Sequence, residues 1–154
     1  MIALESLTVR FGGLVALDAV SASFTAPVSG IIGPNGAGKT TTMNMISGFL
    51  TSSGSVTVDG TDLMRLAPHQ RSRWGLRRSF QREQIADDLT VEENLWAIAD
   101  NLSGSRAEKR ANIATALEFT GITAIRAKPG AALNTFERRL CDLARCINGD
   151  PRLI

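Results

Sequence analysis

The sequence predicts an α/β fold over about residues 1–82 and a helical region over residues 83–148. Three observations carry this prediction. Apolar, β-branched runs alternate with turn residues in the first third, a glycine-rich segment joins an apolar run to a helical pattern, and helix-capping spacings recur in the second half. The chain stops two residues into a new apolar run, so we expect residues 149–154 to begin a core strand that a longer protein continues.

The first predicted strands follow from apolar runs and the residues that break them. Residues 2–9 and 20–24 are rich in apolar and β-branched side chains, and Gly12-Gly13 breaks the chain between them. Residues 28–32 form a short apolar run that ends at a glycine, which predicts a buried strand. The pattern of residues 40–49 is helical, so the glycine-rich segment is expected to join this strand to a helix.

The remaining elements are predicted from turn and capping residues. Residues 54–60 are expected to form a strand that ends at an Asp59-Gly60 turn. A hydroxyl residue followed three positions later by Glu predicts helix starts at Thr90 and Ser105. A further helix is predicted at residues 137–148.

Composition limits the class of protein. Hydrophobic residues make up 44% and charged residues 21%, as in ordinary globular proteins, and the net charge of +2 is too small to predict a nucleic-acid partner. No apolar run approaches the roughly 20 residues that span a bilayer. The first residues also lack the basic segment and apolar core of a secretory signal. We therefore expect a cytoplasmic location, in which Cys141 and Cys146 stay reduced.

The glycine-rich segment contains the residues that are expected to bind phosphate groups. GPNGAGKT at residues 33–40 matches the phosphate-loop pattern G-x-x-x-x-G-K-[ST]. Its glycines let successive N–H groups point at phosphate oxygens, and the following helix presents the positive end of its dipole. Lys39 would bring a mobile charge to the β- and γ-phosphates, and the Thr40 hydroxyl would coordinate Mg²⁺. The segment therefore predicts ATP and Mg²⁺ as cofactors, and the alternative is a glycine-rich turn without a ligand.

Longer stretches resemble the ATPase subunit of ABC transporters, in the same order and at similar separations along the chain. They are GPNGAGKTT at 33–41, SGFL at 47–50, SGSVTVDG at 53–60, RRSFQ at 77–81 and LTVEENL at 89–95. Residues 10–21 and 68–81 are most similar to the branched-chain amino-acid importers. The resemblance implies a P-loop NTPase core with an N-terminal antiparallel β part and a helical subdomain, incomplete at the C-terminus.

The resemblance also implies roles for individual residues. Phe11 stands where the family has an aromatic residue that stacks on adenine, and the alternative is an ordinary core phenylalanine. Gln81 matches the glutamine that contacts Mg²⁺ and the attacking water, and the alternative is a solvated loop residue. Residues 82–90 would face the membrane partner, and Thr41 would assist Thr40 at the phosphates.

These inferences define the expected site. Catalytic roles are expected for Lys39 and Gln81, and metal contacts for Thr40 and Gln81. The expected nucleotide-binding residues are Phe11, Gly33, Pro34, Asn35, Gly36, Ala37, Gly38, Lys39, Thr40 and Thr41.

Other polar residues are expected to lie outside the site. A solvated face is the favoured interpretation of the five arginines Arg71, Arg73, Arg77, Arg78 and Arg82, ahead of a nucleic-acid groove. His69, the single histidine, is expected to be exposed and without a role.

The chain departs from the family pattern at two places. The family signature, LSGGQ or a close variant, falls at residues 133–137, where Asn134 replaces the serine and Phe136 replaces a glycine. Phe cannot allow the same close backbone approach, which leaves open whether this half of the site grips a partner subunit's ATP. GDPRLI at 149–154 resembles the lead-in to the Mg²⁺-binding aspartate and catalytic glutamate, and neither is present. We therefore expect the parent protein to hydrolyse ATP and these 154 residues alone to hydrolyse little.

The expected function is that of the energy-coupling subunit of an ABC importer, for branched-chain amino acids or related solutes. Its expected partners are membrane permease subunits and a second ATPase subunit, identical or different, and no nucleic acid. The expected location is peripheral, on the inner face of the cell membrane. The alternatives are a soluble ABC-type ATPase that acts on ribosomes or DNA, a small P-loop kinase, and a nucleotide-binding module without catalysis.

Overall fold

The computed structural model describes residues 1–51 and 53–154, and the chain divides into two units, residues 1–72 and 73–154. The domain boundary expected after residue 82 stays a prediction. The strands of the first unit are β1 (Ile2–Phe11), β2 (Leu14–Phe24), β3 (Ser53–Val58) and β4 (Thr61–Asp62). Its helices are α1 (Lys39–Ser47), a 3-10 turn (Leu63–Arg65) and the start of α2 (Pro68–Trp74).

The four strands form one antiparallel sheet in the order β2-β1-β3-β4. The strands predicted at 2–9, 20–24 and 54–60 are confirmed, and β2 begins earlier, at Leu14. The tight turn predicted at Asp59-Gly60 is also present. Both residues have the positive φ that such a turn requires, 46° and 79°.

A bulge in β1 brings two leucines to the same face. Side chains alternate along a strand, so Leu4 and Leu7 would face opposite sides of a regular sheet. Ser6 has φ of 49°, the pairing register shifts between Leu4 and Leu7, and both leucines are buried. The core of this unit is completed by residues of the other strands, of α1 and of the 3-10 turn, namely Val9, Leu17, Met45, Ile46, Val56, Val58 and Leu63.

The strand predicted at residues 28–32 is wrong. The segment is irregular, and Val28 and Ile32 are 90% and 95% exposed. A strand is stabilised by hydrogen bonds to a neighbouring strand. Among the described residues, none pairs with this segment, so its apolar side chains have no sheet to pack in.

The second unit is helical. Its long helices are α3 (Val91–Ala99), α4 (Arg106–Phe119) and α5 (Thr135–Ile147), with 3-10 turns at Thr123–Ile125 and Gly130–Ala132. The capping boxes predicted at Thr90 and Ser105 are both formed, and a third opens α5 at Asn134. The three helices enclose a core that includes Val91, Leu95, Ala99, Ile113, Ala116, Leu117, Cys141 and Ala144.

Both cysteines are free and buried, as expected for reduced thiols. Burial raises the pKa of the Cys141 and Cys146 thiols to about 11, so both stay protonated near neutral pH.

The last residues lie beside the chain that follows α2. Leu153 forms a parallel bridge with Leu76, and the Arg77 N–H donates to the Leu153 carbonyl at 2.8 Å. Arg152 N–H donates to the Gly75 carbonyl at 2.9 Å. Residues 152–153 therefore pair in the way a strand does. No helix within the described ranges combines the length and apolar character needed to cross a membrane.

Candidate phosphate-binding site

The glycine-rich loop is wound and open to solvent. Gly36 and Gly38 have φ of 87° and 83°, a left-handed conformation that glycine adopts without strain. The Ala37 N–H donates to the Pro34 carbonyl at 3.3 Å, which closes a turn. Residues 33–37 are exposed, so the loop leaves room for a ligand.

Lys39 is held inside this loop. It is the first residue of α1, and its Nζ donates to the carbonyls of Gly33 at 2.6 Å and Pro34 at 2.7 Å. An ammonium group has three N–H donors, so two of them fix its position and the third is left for another acceptor. The ammonium group of Lys39, the one cation in this loop, therefore has a defined position.

The N-terminus of α1 has no side-chain cap. Gly38 occupies the cap position and offers no side chain that could accept a hydrogen bond, and no acidic residue lies in the first turn. In contrast, α3, α4 and α5 each start with a complete capping box. The first N–H groups of a helix need an acceptor outside it, and an uncapped end beside a cation favours an anion.

Gly38 allows α1 to begin close to β2. A Cβ atom at this position would lie 2.6 Å from Leu17 Cδ2 and 2.9 Å from the Ala16 carbonyl oxygen. Leu17 is buried and pairs with Val9 in the sheet. The sheet therefore fixes where the loop passes into the helix.

Arg71 holds the opposite end of α1. Its Nη1 donates to the carbonyls of Met45 and Ile46 at 2.6 and 2.8 Å, and its Nε donates to Leu66 at 2.9 Å. Gly48, with φ of 83°, leaves space for the guanidinium, because a Cβ there would lie 3.0 Å from Nε. The bond to Ile46 gives a donor to a carbonyl in the last turn of the helix, and the bond to Met45 adds to the one from the Gly48 N–H at 3.0 Å.

The solvated face expected for all five arginines is therefore wrong at two of them. Arg71 is 4% exposed and Arg77 is 8% exposed. Burial lowers the pKa of both guanidinium groups, and for Arg71 the Asp62 carboxylate partly opposes this effect. Sequence reasoning missed Arg71 because its carbonyl partners on α1 lie 25 and 26 positions earlier in the chain. His69 is exposed, as expected.

Phe11 lies at the end of β1 and is 48% exposed, so it is not a core residue. Phe11 pairs with Leu14 across the turn. Leu14 is three residues along β2 from Leu17, the residue that a Cβ at position 38 would meet. At about 3.3 Å per residue, the strand covers roughly 10 Å between these points. An exposed aromatic face is thus present in the same unit as the loop.

Gln81 belongs to the second unit, and its side chain is exposed. Its backbone carbonyl accepts from Arg139 Nη2 at 2.8 Å, and the Phe80 carbonyl accepts from Nη1 at 3.2 Å. Arg139 Nε also pairs with the Glu83 carboxylate at 2.7 Å.

Two more α5 arginines hold the chain that follows Gln81. Arg145 donates to the Gln84 carbonyl, and Arg138 Nη1 donates to Asp87 Oδ1 at 2.8 Å. The three α5 arginines were not predicted, since only tertiary structure brings α5 to residues 80–87.

The signature position forms the N-terminus of α5. Asn134 Oδ1 accepts from the Glu137 N–H at 2.9 Å, and the Glu137 carboxylate accepts from the Asn134 N–H at 2.8 Å. Lys128 Nζ binds the same carboxylate at 2.7 Å, and the Lys128 and Asn134 hydrogen bonds lower the pKa of Glu137. Phe136 is 70% exposed. Asn134 therefore acts as a helix cap, which the N-x-x-E spacing could have predicted.

A glycine loop wound around a lysine, at the start of an uncapped helix, places the chain in the class of P-loop nucleotide-binding proteins. Residues 20–154, most of the chain, match the family model described as ABC transporter. The chain belongs to the ABC transporter family.

Relatives in this family serve different transport systems. The chain is 32% identical to the high-affinity branched-chain amino acid transport ATP-binding protein BraF of Pseudomonas aeruginosa, an alignment covering 97% of this chain and 66% of BraF. It is 37% identical to the lipopolysaccharide export system ATP-binding protein LptB of Escherichia coli K12, over 82% of this chain and 54% of LptB. The chain thus spans between about half and two thirds of the length of these relatives.

Solved structures share the fold. The ADP conformation of MJ1267, an ATP-binding cassette of an ABC transporter, superposes with a TM-score of 0.86 at 28% identity, over 99% of this chain and 66% of that one. A nucleotide-free ATP-binding cassette from an ABC transporter superposes with a TM-score of 0.85 at 29% identity, over 98% and 66% of the two chains. The predicted fold class, an ABC ATPase fold with an antiparallel β part and a helical part, is confirmed.

Proposed function

We propose that the protein binds ATP with Mg²⁺ at residues 33–41 and uses ATP hydrolysis to drive transport through a membrane permease. The observation that carries the proposal is the uncapped N-terminus of α1 behind an exposed loop that holds the Lys39 ammonium. Free N–H groups, a helix dipole and a cation converge there, and a triphosphate supplies the acceptors and the negative charge that they lack.

Each residue of the loop has a proposed role. The backbone N–H groups of the loop and first helical turn bind phosphate oxygens, and Lys39 contacts the β- and γ-phosphates. The Thr40 hydroxyl coordinates Mg²⁺, assisted by Thr41, because Mg²⁺ prefers oxygen ligands and keeps several waters. The adenine stacks on Phe11, whose exposed ring suits a flat base. The proposed nucleotide-binding set is Phe11, Gly33, Pro34, Asn35, Gly36, Ala37, Gly38, Lys39, Thr40 and Thr41.

Gln81 is proposed to contact Mg²⁺ and the attacking water, and residues 82–90 to face the permease. The exposed Gln81 side chain on a fixed backbone supports this role, because positioning is most of what catalysis of phosphoryl transfer requires. The protein would act with a second ATPase subunit and lie peripherally on the inner face of the membrane.

The transported solute is proposed from the relatives. BraF, which aligns with 97% of this chain, supports a branched-chain amino acid or a related solute. LptB has similar identity, so a lipopolysaccharide exporter is the second candidate. A soluble ATPase acting on ribosomes or DNA is a third. Affinity purification of the full-length protein from solubilised membranes would separate these classes by the permease, ribosome or DNA recovered with it.

ATP binding is tested by titrating a fluorescent ATP analogue, with Mg²⁺, into the chain and its Lys39→Ala variant. Charge-assisted hydrogen bonds contribute about 1.5–3 kcal/mol, so affinity should fall roughly tenfold to a hundredfold. Arg65→Ala is the control, because Arg65 is a cation of the same unit whose side chain is 86% exposed. Equal affinity of the Lys39→Ala variant and the unchanged chain would defeat the proposal.

A further inference from the structure

The second unit contains a cavity of about 120 Å³ whose charged lining is mostly cationic. Arg73, Arg77, Lys109 and Arg152 line it, against the single carboxylate of Asp150. All of its lining residues lie between positions 73 and 152, so none belongs to the phosphate loop.

The cations come from separate elements that hold them in place. Arg77 and Arg152 lie on the two paired segments, through the hydrogen bonds of Arg77 N–H to Leu153 and of Arg152 N–H to Gly75. The Arg152 guanidinium stacks over the Trp74 ring at 5.2 Å from its centroid, and Trp74 also lines the cavity. Lys109 is supplied by α4 and is half-buried. The cluster is therefore built by the fold and is not a run of neighbouring residues.

Charge in this cavity is unbalanced. In the part of the chain that the structure describes, no carboxylate lies within salt-bridge distance of Arg73, Lys109 or Arg152. Like charges in a concave, partly desolvated site repel one another and raise the local concentration of counter-ions. Burial also lowers the pKa of Arg77, so the environment already disfavours its charge. A bound anion would relieve both effects.

The volume of the cavity limits the size of the anion that it can hold. The cavity has room for about four waters at roughly 30 Å³ each, which suits one tetrahedral oxyanion, and it is smaller than the roughly 300 Å³ of the smallest typical ligand pockets. The wall also contains Asn148, whose Nδ2 donates to the Leu95 carbonyl at 2.9 Å, so this side chain has a fixed place beside the cavity.

We propose that this cavity is a binding site for a free hydrogen-phosphate ion. Arg73, Arg77, Lys109 and Arg152 surround the oxyanion. The residues that line this cavity are distinct from residues 33–41, where nucleotide binding is proposed.

The experiment uses the chain with Lys39→Ala, which removes the cation of the phosphate loop, and Trp96→Phe, which leaves Trp74 as the one tryptophan. Inorganic phosphate is titrated at constant ionic strength against chloride, and Trp74 fluorescence is the readout. We expect a saturable change, and sulfate, which has the same tetrahedral shape and charge, should compete with phosphate for the site. Lys109→Gln and Arg152→Gln should each weaken phosphate binding about tenfold, the value of a lost charge-assisted hydrogen bond.

Arg110→Gln is the matched control, because Arg110 is the next residue on α4, is exposed and does not line the cavity. This variant should bind phosphate like its parent. An absent fluorescence change, or equal binding by the Lys109→Gln, Arg152→Gln and Arg110→Gln variants, would overturn the site. A response seen only when Lys39 is restored would assign phosphate to the loop, which contradicts this inference and leaves the proposed ATP site intact.

Discussion

Arg139 donates from Nη2 to the backbone carbonyl of Gln81 at 2.8 Å, across 58 positions of sequence. The same guanidinium binds the Phe80 carbonyl and the Glu83 carboxylate, so one side chain of α5 contacts three residues of the segment 80–83. The Gln81 side chain remains exposed. Helix α5, which begins at the signature position, therefore determines where the backbone of Gln81 lies.

Replacing Arg139 by alanine should loosen residues 80–84. The three contacts are lost together, but the Arg139 side chain is 50% exposed, so solvent screens part of their strength. We expect amide hydrogen exchange in this segment to accelerate by up to about tenfold. Mass spectrometry of peptides that cover residues 78–86 measures it, with Arg110→Ala as the control. Unchanged exchange rates in the Arg139→Ala variant would show that other contacts hold the segment.

Gly38 and Gly36 form a matched pair of substitutions. Both have positive φ, but a Cβ at Gly38 would collide with β2, whereas the space around Gly36 is open. Alanine costs about 1–2 kcal/mol at either position from the left-handed backbone, and overpacking adds about 1–3 kcal/mol at Gly38 alone. Thermal unfolding should therefore occur at a lower temperature for Gly38→Ala than for Gly36→Ala. The opposite order would mean that α1 does not start against β2.

Arg71→Met should weaken the C-terminal end of α1. Arg71 is buried, and its removal takes away its hydrogen bonds to the carbonyls of Met45, Ile46 and Leu66, of which Met45 keeps the Gly48 N–H as a donor. We expect the free energy of opening α1 to fall by about 3 kcal/mol. Hydrogen exchange of residues 39–47 reports this directly, and the exposed Arg65→Met is the control. Equal protection in both variants would argue against the observed hydrogen bonds.

Glu137 should make α5 sensitive to acid. The hydrogen bonds from Lys128 and from the Asn134 backbone hold the pKa of Glu137 below its ordinary value of 4.5. Because the pKa of Glu137 is lower in the folded state, the stabilisation that its ionised carboxylate gives to α5 is complete above about pH 4.5. This stabilisation is lost as pH falls through the pKa of the folded state.

Glu137→Gln removes this titration and keeps a side chain that can cap the helix. Helix content measured by circular dichroism should then depend less on pH below 4.5 in the variant than in the unchanged chain. Glu118→Gln, an exposed change on α4, is the control and should titrate like the unchanged chain. Identical acid transitions for the Glu137→Gln variant and the unchanged chain would show that ionised Glu137 does not stabilise α5.

The sequence by itself determined the features that depend on a few neighbouring residues. The turn conformation of the glycine-rich loop, the Asp59-Gly60 turn and the caps at Thr90 and Ser105 were predictable, because backbone conformation and hydrogen bonds within six positions specify each of them. The family resemblance likewise follows from short stretches of sequence, and it was confirmed over residues 20–154.

Tertiary structure decided what depends on distant partners. Residues 28–32 have the composition of a buried strand, but a strand also needs a neighbour, and their side chains are exposed. Arg71 is buried because carbonyls at the end of α1 accept from it, and Arg139 lies at Gln81 because α5 passes there. The residues next to an arginine in the sequence predict neither outcome, because the same side chain is solvated or buried according to which acceptors the fold brings to it.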